Sequence, residues 1–125
     1  LSKKILVVED NQDMRSLIHL QLTLEGFSVV VASNGLEGIY MASIEKPDLI
    51  ITDLSMPEMN GIEMTKQLKA QPETRDILIL ALTAHGDNLM DQVILAGANR
   101  AITKPVAMDE LVDDVNELLN EAERK

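Results

Sequence analysis

Five short runs of β-branched and aliphatic residues, at 5–8, 29–31, 49–51, 77–82 and 101–103, alternate with segments whose apolar residues recur at helical spacing. Those segments lie at 14–24, 36–44, 62–68 and 89–96, with a last one at 108–122. In the last, Met108, Leu111, Val112, Val115, Leu118, Leu119 and Ala122 share one helical face, while Asp109, Glu110, Asp113, Asp114, Glu117 and Glu121 fill the other. Strands apolar on both faces, alternating with helices, imply a parallel sheet covered on each side through right-handed crossovers. The expected fold is α/β, a doubly wound five-stranded parallel sheet with helices on both faces. Asp13 and Asn34 stand where helix N-caps are expected, and Gly26 stands where a left-handed residue closes the first helix.

A chain of 125 residues has the size of one domain, so a single unit over 1–125 is expected. Its longest apolar run, 77–82, is far short of the roughly 18 residues that span a bilayer, and the N-terminus has no signal-peptide pattern. A cytoplasmic protein without membrane contact is expected. There is no cysteine, which excludes disulfides and thiolate metal sites and leaves oxygen donors with His19 and His85 as ligands. The net charge of −10 argues against direct nucleic-acid binding, which draws on clustered Lys and Arg, and points to protein partners. With the last helix ending near Arg124 no output domain is expected within the chain, and the non-Met start favours a piece excised from a longer protein over a stand-alone one.

In a parallel sheet the C-terminal ends of all strands share one edge, where ligands bind. Glu9 and Asp10 follow the first run, Asp53 ends the third, Thr83 ends the fourth, and Lys104-Pro105 follows the fifth. Each group has a bland alternative: acids after a strand cap helices, Thr83 suits a strand end, and Lys104 suits a surface. Asp53 differs, because it ends the run Leu49-Ile50-Ile51-Thr52 with no helix beside it to cap. Two carboxylates roughly 5 Å apart repel by about 3 kcal/mol at an effective dielectric of about 20, so such a rim asks for a cation. A few oxygen ligands on one side suit Mg²⁺, which implies a phosphoryl substrate.

The chain resembles the receiver domains of two-component response regulators over residues 3–123. The resemblance rests on Ile5-Leu6-Val7-Val8-Glu9-Asp10-Asn11, on Asp48-Leu49-Ile50-Ile51-Thr52-Asp53-Leu54-Ser55-Met56-Pro57-Glu58-Met59-Asn60-Gly61, on Ala81-Leu82-Thr83-Ala84, on Gly97-Ala98 and on Thr103-Lys104-Pro105. It implies the flavodoxin-like strand order 2-1-3-4-5. It further implies that Asp53 is the phosphoacceptor, charged from the phosphohistidine of a histidine kinase or phosphotransfer protein. Asp10, Asp53 and the Ser55 carbonyl would hold Mg²⁺, with Glu9 acting directly or through water. Thr83 and Lys104 would bind the phosphoryl group, and the movement of Thr83 would pass the signal to a downstream target or output domain. Pro57 and Gly61 would shape the acceptor loop, Gly61 by its backbone freedom. The bond before Pro105 is expected to be cis, Ser55 and His85 would tune the lifetime of the phosphoryl group, and His19 has no chemical role.

One position departs from the family pattern. Three residues before the lysine, where Tyr or Phe is common, stands Ala101, so the aromatic half of the usual switch is missing and a relay role without an output domain becomes easier. Arg100 beside it reads as a solvated side chain. Rival readings fail on particular residues: a dehalogenase-type phosphatase needs Asp where Ser55 stands, a flavodoxin needs a hydroxyl- and glycine-rich loop where Glu9-Asp10-Asn11-Gln12-Asp13 stands, and no P-loop element is present. The remaining alternative is a receiver-shaped adaptor that binds proteins without being phosphorylated, against which the presence of all the chemical positions weighs.

Overall fold

The computed structural model describes residues 2–84 and 88–124. Its elements follow in the order β1 (Lys4–Val8), α1 (Gln12–Leu24), β2 (Ser28–Ala32), α2 (Gly35–Glu45), β3 (Leu49–Asp53), α3 (Gly61–Ala70), β4 (Leu78–Thr83), α4 (Leu89–Ala96), β5 (Arg100–Thr103) and α5 (Met108–Glu123). The strands form one parallel sheet in the order β2-β1-β3-β4-β5. This is the doubly wound, flavodoxin-like arrangement expected.

The sheet separates two cores because successive strand residues point to opposite faces. Ile5 and Val7 of β1, Leu49 and Ile51 of β3, and Leu80 and Leu82 of β4 pack with Ile18 and Leu22 of α1 and with Leu111, Val115 and Leu118 of α5. The alternate residues Leu6, Val8, Ile50, Ile79 and Ala81 pack with Ala42 of α2, Met64 and Leu68 of α3, and Val93 of α4. Every one of these strand positions is at most 2% exposed, so a slip of one residue would exchange the two cores, and the register is firmly set. Gly26 closes α1 at φ 97°, as expected. Among the described residues no helix is long and apolar enough to cross a membrane.

Two expectations are corrected at the elements. Asn11, not Asp13, caps α1: its side-chain oxygen accepts the Met14 N–H at 2.8 Å. The turn after β1 is shorter than the apolar period suggests, so the helix starts earlier and Asp13 falls in its first turn, where a carboxylate favours the positive end of the helix dipole. Asn34 does cap α2, accepting the Glu37 N–H at 2.9 Å. Arg100 is not a solvated side chain. Its guanidinium reaches from β5 to Asp114 at 2.7 Å, Glu117 at 2.9 Å and Glu121 at 3.4 Å, all on α5.

The two faces of α2 are unequal. Gly35, Gly38 and Ala42 are buried, Gly35 against Met59, and a Cβ on Gly38 would stand 2.7 Å from Met64 Sδ and 3.1 Å from Val8 Cγ2. Leu36, Tyr40 and Ile44 point outward and are at least half exposed.

Candidate functional site

The C-terminal edge of the sheet brings four charged side chains together. β1 runs directly into Glu9 and Asp10, β3 ends on Asp53, and Lys104 follows β5. Lys104 Nζ lies 3.0 Å from Asp53 Oδ1 and 3.8 Å from Glu9 Oε1. Glu9, Asp10 and Asp53 each place a carboxylate oxygen within 4.8 Å of the other two. Asp53 is buried at the strand end, and its Oδ1 also accepts the Leu54 N–H at 2.9 Å. Asn11, Asp13, Met14 and Leu17 wall the cavity that opens above these groups.

Glu9 is the most perturbed of the acids. It is 2% exposed; its Oε2 accepts the Asn11 N–H at 3.2 Å, whereas its Oε1 is buried without a hydrogen-bond partner. Burial pushes its carboxyl up to about 7, with the neighbouring Asp53 charge and Asp10 adding to the rise against the Asn11 N–H and Lys104. One lysine faces three carboxylates, and an oxygen lone pair is stranded among them. Such a donor set fits a hard divalent cation of the Mg²⁺ type, which takes a few carboxylate oxygens and keeps water for the rest.

Two residues that shape this rim escaped the sequence reading. Arg15 Nη1 donates to the Glu9 carbonyl at 2.8 Å and pins the turn that carries the acids. Asn11 both caps α1 and donates its own N–H to Glu9. The signal for Arg15 was its place in the first turns of α1, because helical side chains lean toward the N-terminus and so toward Glu9.

The other expected positions are distributed around this cluster. Thr83 ends β4, one residue beyond the Leu82 that pairs with Asp53, and its hydroxyl donates to the Ile102 carbonyl at 3.4 Å. The Lys104 N–H in turn donates to the Thr83 carbonyl at 2.7 Å, so the ends of β4 and β5 are laced beside the acids. The Lys104–Pro105 bond is cis, as expected. Ser55 and Pro57 are exposed on the loop between Asp53 and α3, where Glu58 adopts φ 70°. His85 lies outside the described residues.

Gly61 serves a different purpose from the one expected. Its φ is not in the left-handed region; instead a Cβ there would run into the Asp53 carbonyl oxygen and stand 2.8 Å from Leu54 Cδ2. Glycine lets α3 start directly against the end of β3, and the Gly61 N–H donates to the Leu54 carbonyl at 3.0 Å.

Residues 5–116 match the response regulator receiver domain family. The chain belongs to that family. This receiver is 31% identical over 125 residues to the polar-differentiation response regulator DivK of Brucella anthropi, with 98% of this chain and 100% of the relative covered. It is 37% identical over 125 residues to the alkaline phosphatase synthesis transcriptional regulatory protein PhoP of Bacillus subtilis, and there it covers 98% of its own length but only 51% of the relative. The chain thus spans about half the length of that protein. The receiver domain of a sensor histidine kinase from Pseudomonas aeruginosa, solved with a magnesium ion coordinated in its active site cleft, superposes with a TM-score of 0.88 at 27% identity, over 96% of this chain and 99% of that one. Receivers of this family are two-component signalling domains that bind Mg²⁺ in an acidic pocket, and in this chain Glu9, Asp10 and Asp53 form an acidic cluster at the sheet edge.

Proposed function

We propose that Asp53 accepts a phosphoryl group from the phosphohistidine of a histidine kinase or phosphotransfer protein. The observation that carries this reading is the Asp53 carboxylate at the mouth of a buried strand, 3.0 Å from Lys104 Nζ and beside the unpartnered oxygen of Glu9. In the transfer an Asp53 oxygen bonds to phosphorus while the phosphorus–nitrogen bond breaks, and the imidazole leaves with the electron pair. Phosphoryl transfer of this kind asks the protein for position and charge neutralisation more than for covalent help.

The residues divide that work. Lys104, now bonded to the Asp53 carboxylate, is placed to follow the oxygens of the phosphoryl group. Glu9, Asp10, Asp53 and the Ser55 carbonyl would hold Mg²⁺, which supplies positive charge at the phosphoryl oxygens. Among the described residues the Thr83 hydroxyl gives up one long bond, to Ile102, when it turns to a phosphoryl oxygen, and that turn would carry the end of β4 with it. Pro57, Gly61 and Pro105 would hold the loops in shape, and Ser55 and His85 would tune how fast the phosphoryl group is hydrolysed. A downstream target or output domain would read the change.

The test is intact mass after incubation with Mg²⁺ and acetyl phosphate. One added phosphoryl group that needs Mg²⁺ and is absent from Asp53→Asn is the expected result. If no adduct forms and beryllofluoride also fails to bind, the reading passes to the adaptor that works without phosphorylation.

A further inference from the structure

The outward face of α2 carries Leu36, Tyr40 and Ile44, which are 50%, 64% and 54% exposed. Their spacing of four residues makes them one continuous ridge. The inward face is built from Gly35, Gly38 and Ala42. Small residues inside and large apolar ones outside reverse the order of an ordinary surface helix, and a helix apolar on both sides is one that is covered on both. We propose that the outer face of α2 packs against α2 of a second copy of this chain, antiparallel and about a two-fold axis through Tyr40.

Symmetry points to a second copy. Reading outward from Tyr40, Ile39 is matched by Met41, Gly38 by Ala42 and Leu36 by Ile44, while Glu37 stands opposite the uncharged Ser43. A two-fold contact presents one patch to itself in reverse order, so a ridge that reads alike both ways is self-complementary. Tyr40 then meets Tyr40 of the second copy, and Leu36 meets its Ile44.

Charge points the same way. Copies of a chain with net charge −10 repel unless they meet where charge is balanced. On α2, Glu45 is paired with Lys4 at 2.9 Å, and Lys46 at one end offsets Glu37 at the other. The exposed face of α5, by contrast, carries Asp109, Glu110, Asp113, Glu117 and Glu121 and suits a basic partner. The exposed apolar residues of α1, Leu17, Leu20 and Leu24, start on the rim of the acidic cavity, which Leu17 lines.

The contact is a small one. Three half-exposed large side chains hide roughly 300 Å² per copy, against roughly 800 Å² per partner in standard complexes, so a weak contact that forms only at high concentration is expected. Tyr40 is the single tyrosine and there is no tryptophan, so the intrinsic emission comes from the centre of the proposed contact. Sedimentation velocity from about 10 μM to about 1 mM should pass from monomer to dimer, with acrylamide quenching of Tyr40 falling several-fold in parallel.

Tyr40→Glu, and independently Ile44→Lys, should stay monomeric throughout with unchanged far-UV circular dichroism. Leu95→Glu, at the 88% exposed position on α4, should still dimerise. A wild-type monomer at the highest concentration would mean that another molecule covers this ridge, and would overturn the proposal. So would a dimer in which Tyr40 remains open to quencher, or one abolished by Leu95→Glu and not by Tyr40→Glu.

Discussion

At the residue scale, a proton on Glu9 opposes the metal ion proposed to bind beside it. Its folded value of about 7 lies above the 4.5 of a free side chain, as in the unfolded chain, so between these pH values the folded chain holds a proton that the unfolded chain has lost. The sign follows: this contribution to stability is present in full below about pH 4.5 and is lost as pH rises through about 7. Urea unfolding without metal should show wild type losing on the order of 2 kcal/mol relative to Glu9→Gln between pH 5 and pH 8. Mg²⁺ binding should run the other way, weakening as the pH falls from 8 to 6 and releasing protons that calorimetry in buffers of different ionisation enthalpy would count. Gly61→Ala should cost about 2 kcal/mol or more, read from the same urea transitions, because the new methyl group meets the rigid Asp53 carbonyl and not a flexible side chain. The convergence of Glu9, Asp10, Asp53 and Lys104 was legible in the sequence, because each of them ends or follows a strand and parallel strands share one C-terminal edge. The positioning of Glu9 by Arg15 was not, since a hydrogen bond to a backbone carbonyl leaves no mark on the residue that accepts it. The role of Gly61 was half legible: the glycine was noted, but close approach and backbone freedom look the same in one letter.

At the scale of elements, strand and helix identities followed from periodicity, and their ends shifted by a few residues wherever a cap or turn decided the boundary, as Asn11 does for α1. The join between β5 and α5 was harder to foresee, because the partners of Arg100 lie 14, 17 and 21 residues away. A trace did exist, since Asp114, Glu117 and Glu121 fall on one stripe of α5. Only the Asp114 contact is well shielded; the side chains of Glu117 and Glu121 are 61% and 55% exposed, and their ion pairs are open to screening by salt. Arg100→Ala should therefore cost about 1–2 kcal/mol, most of which persists at high salt, and Arg100→Lys should recover only part of it because the planar fork is lost. Urea midpoints at low and high ionic strength would measure both. With Ala101 next to it, β5 has a charged clamp on one side and a small side chain on the other.

At the scale of the whole molecule, the acidic pocket makes global stability a reporter of local binding. A ligand that binds only the folded chain at ten times its dissociation constant adds about 1.4 kcal/mol, so Mg²⁺ should raise the melting temperature by about 5 °C. Sodium chloride at equal ionic strength should not reproduce the shift, and Asp10→Asn should reduce it; differential scanning calorimetry would decide both. The far side of the sheet has a consequence of another kind. Lys3, just before β1, and Glu123, at the end of α5, join their side chains on the edge opposite Asp53, Nζ to Oε1 at 3.4 Å. A unit whose entry and exit are neighbours can be spliced into a longer polypeptide like a bead onto a string, leaving its reactive pole untouched, whether it makes up the whole of a relative such as DivK or half of one such as PhoP.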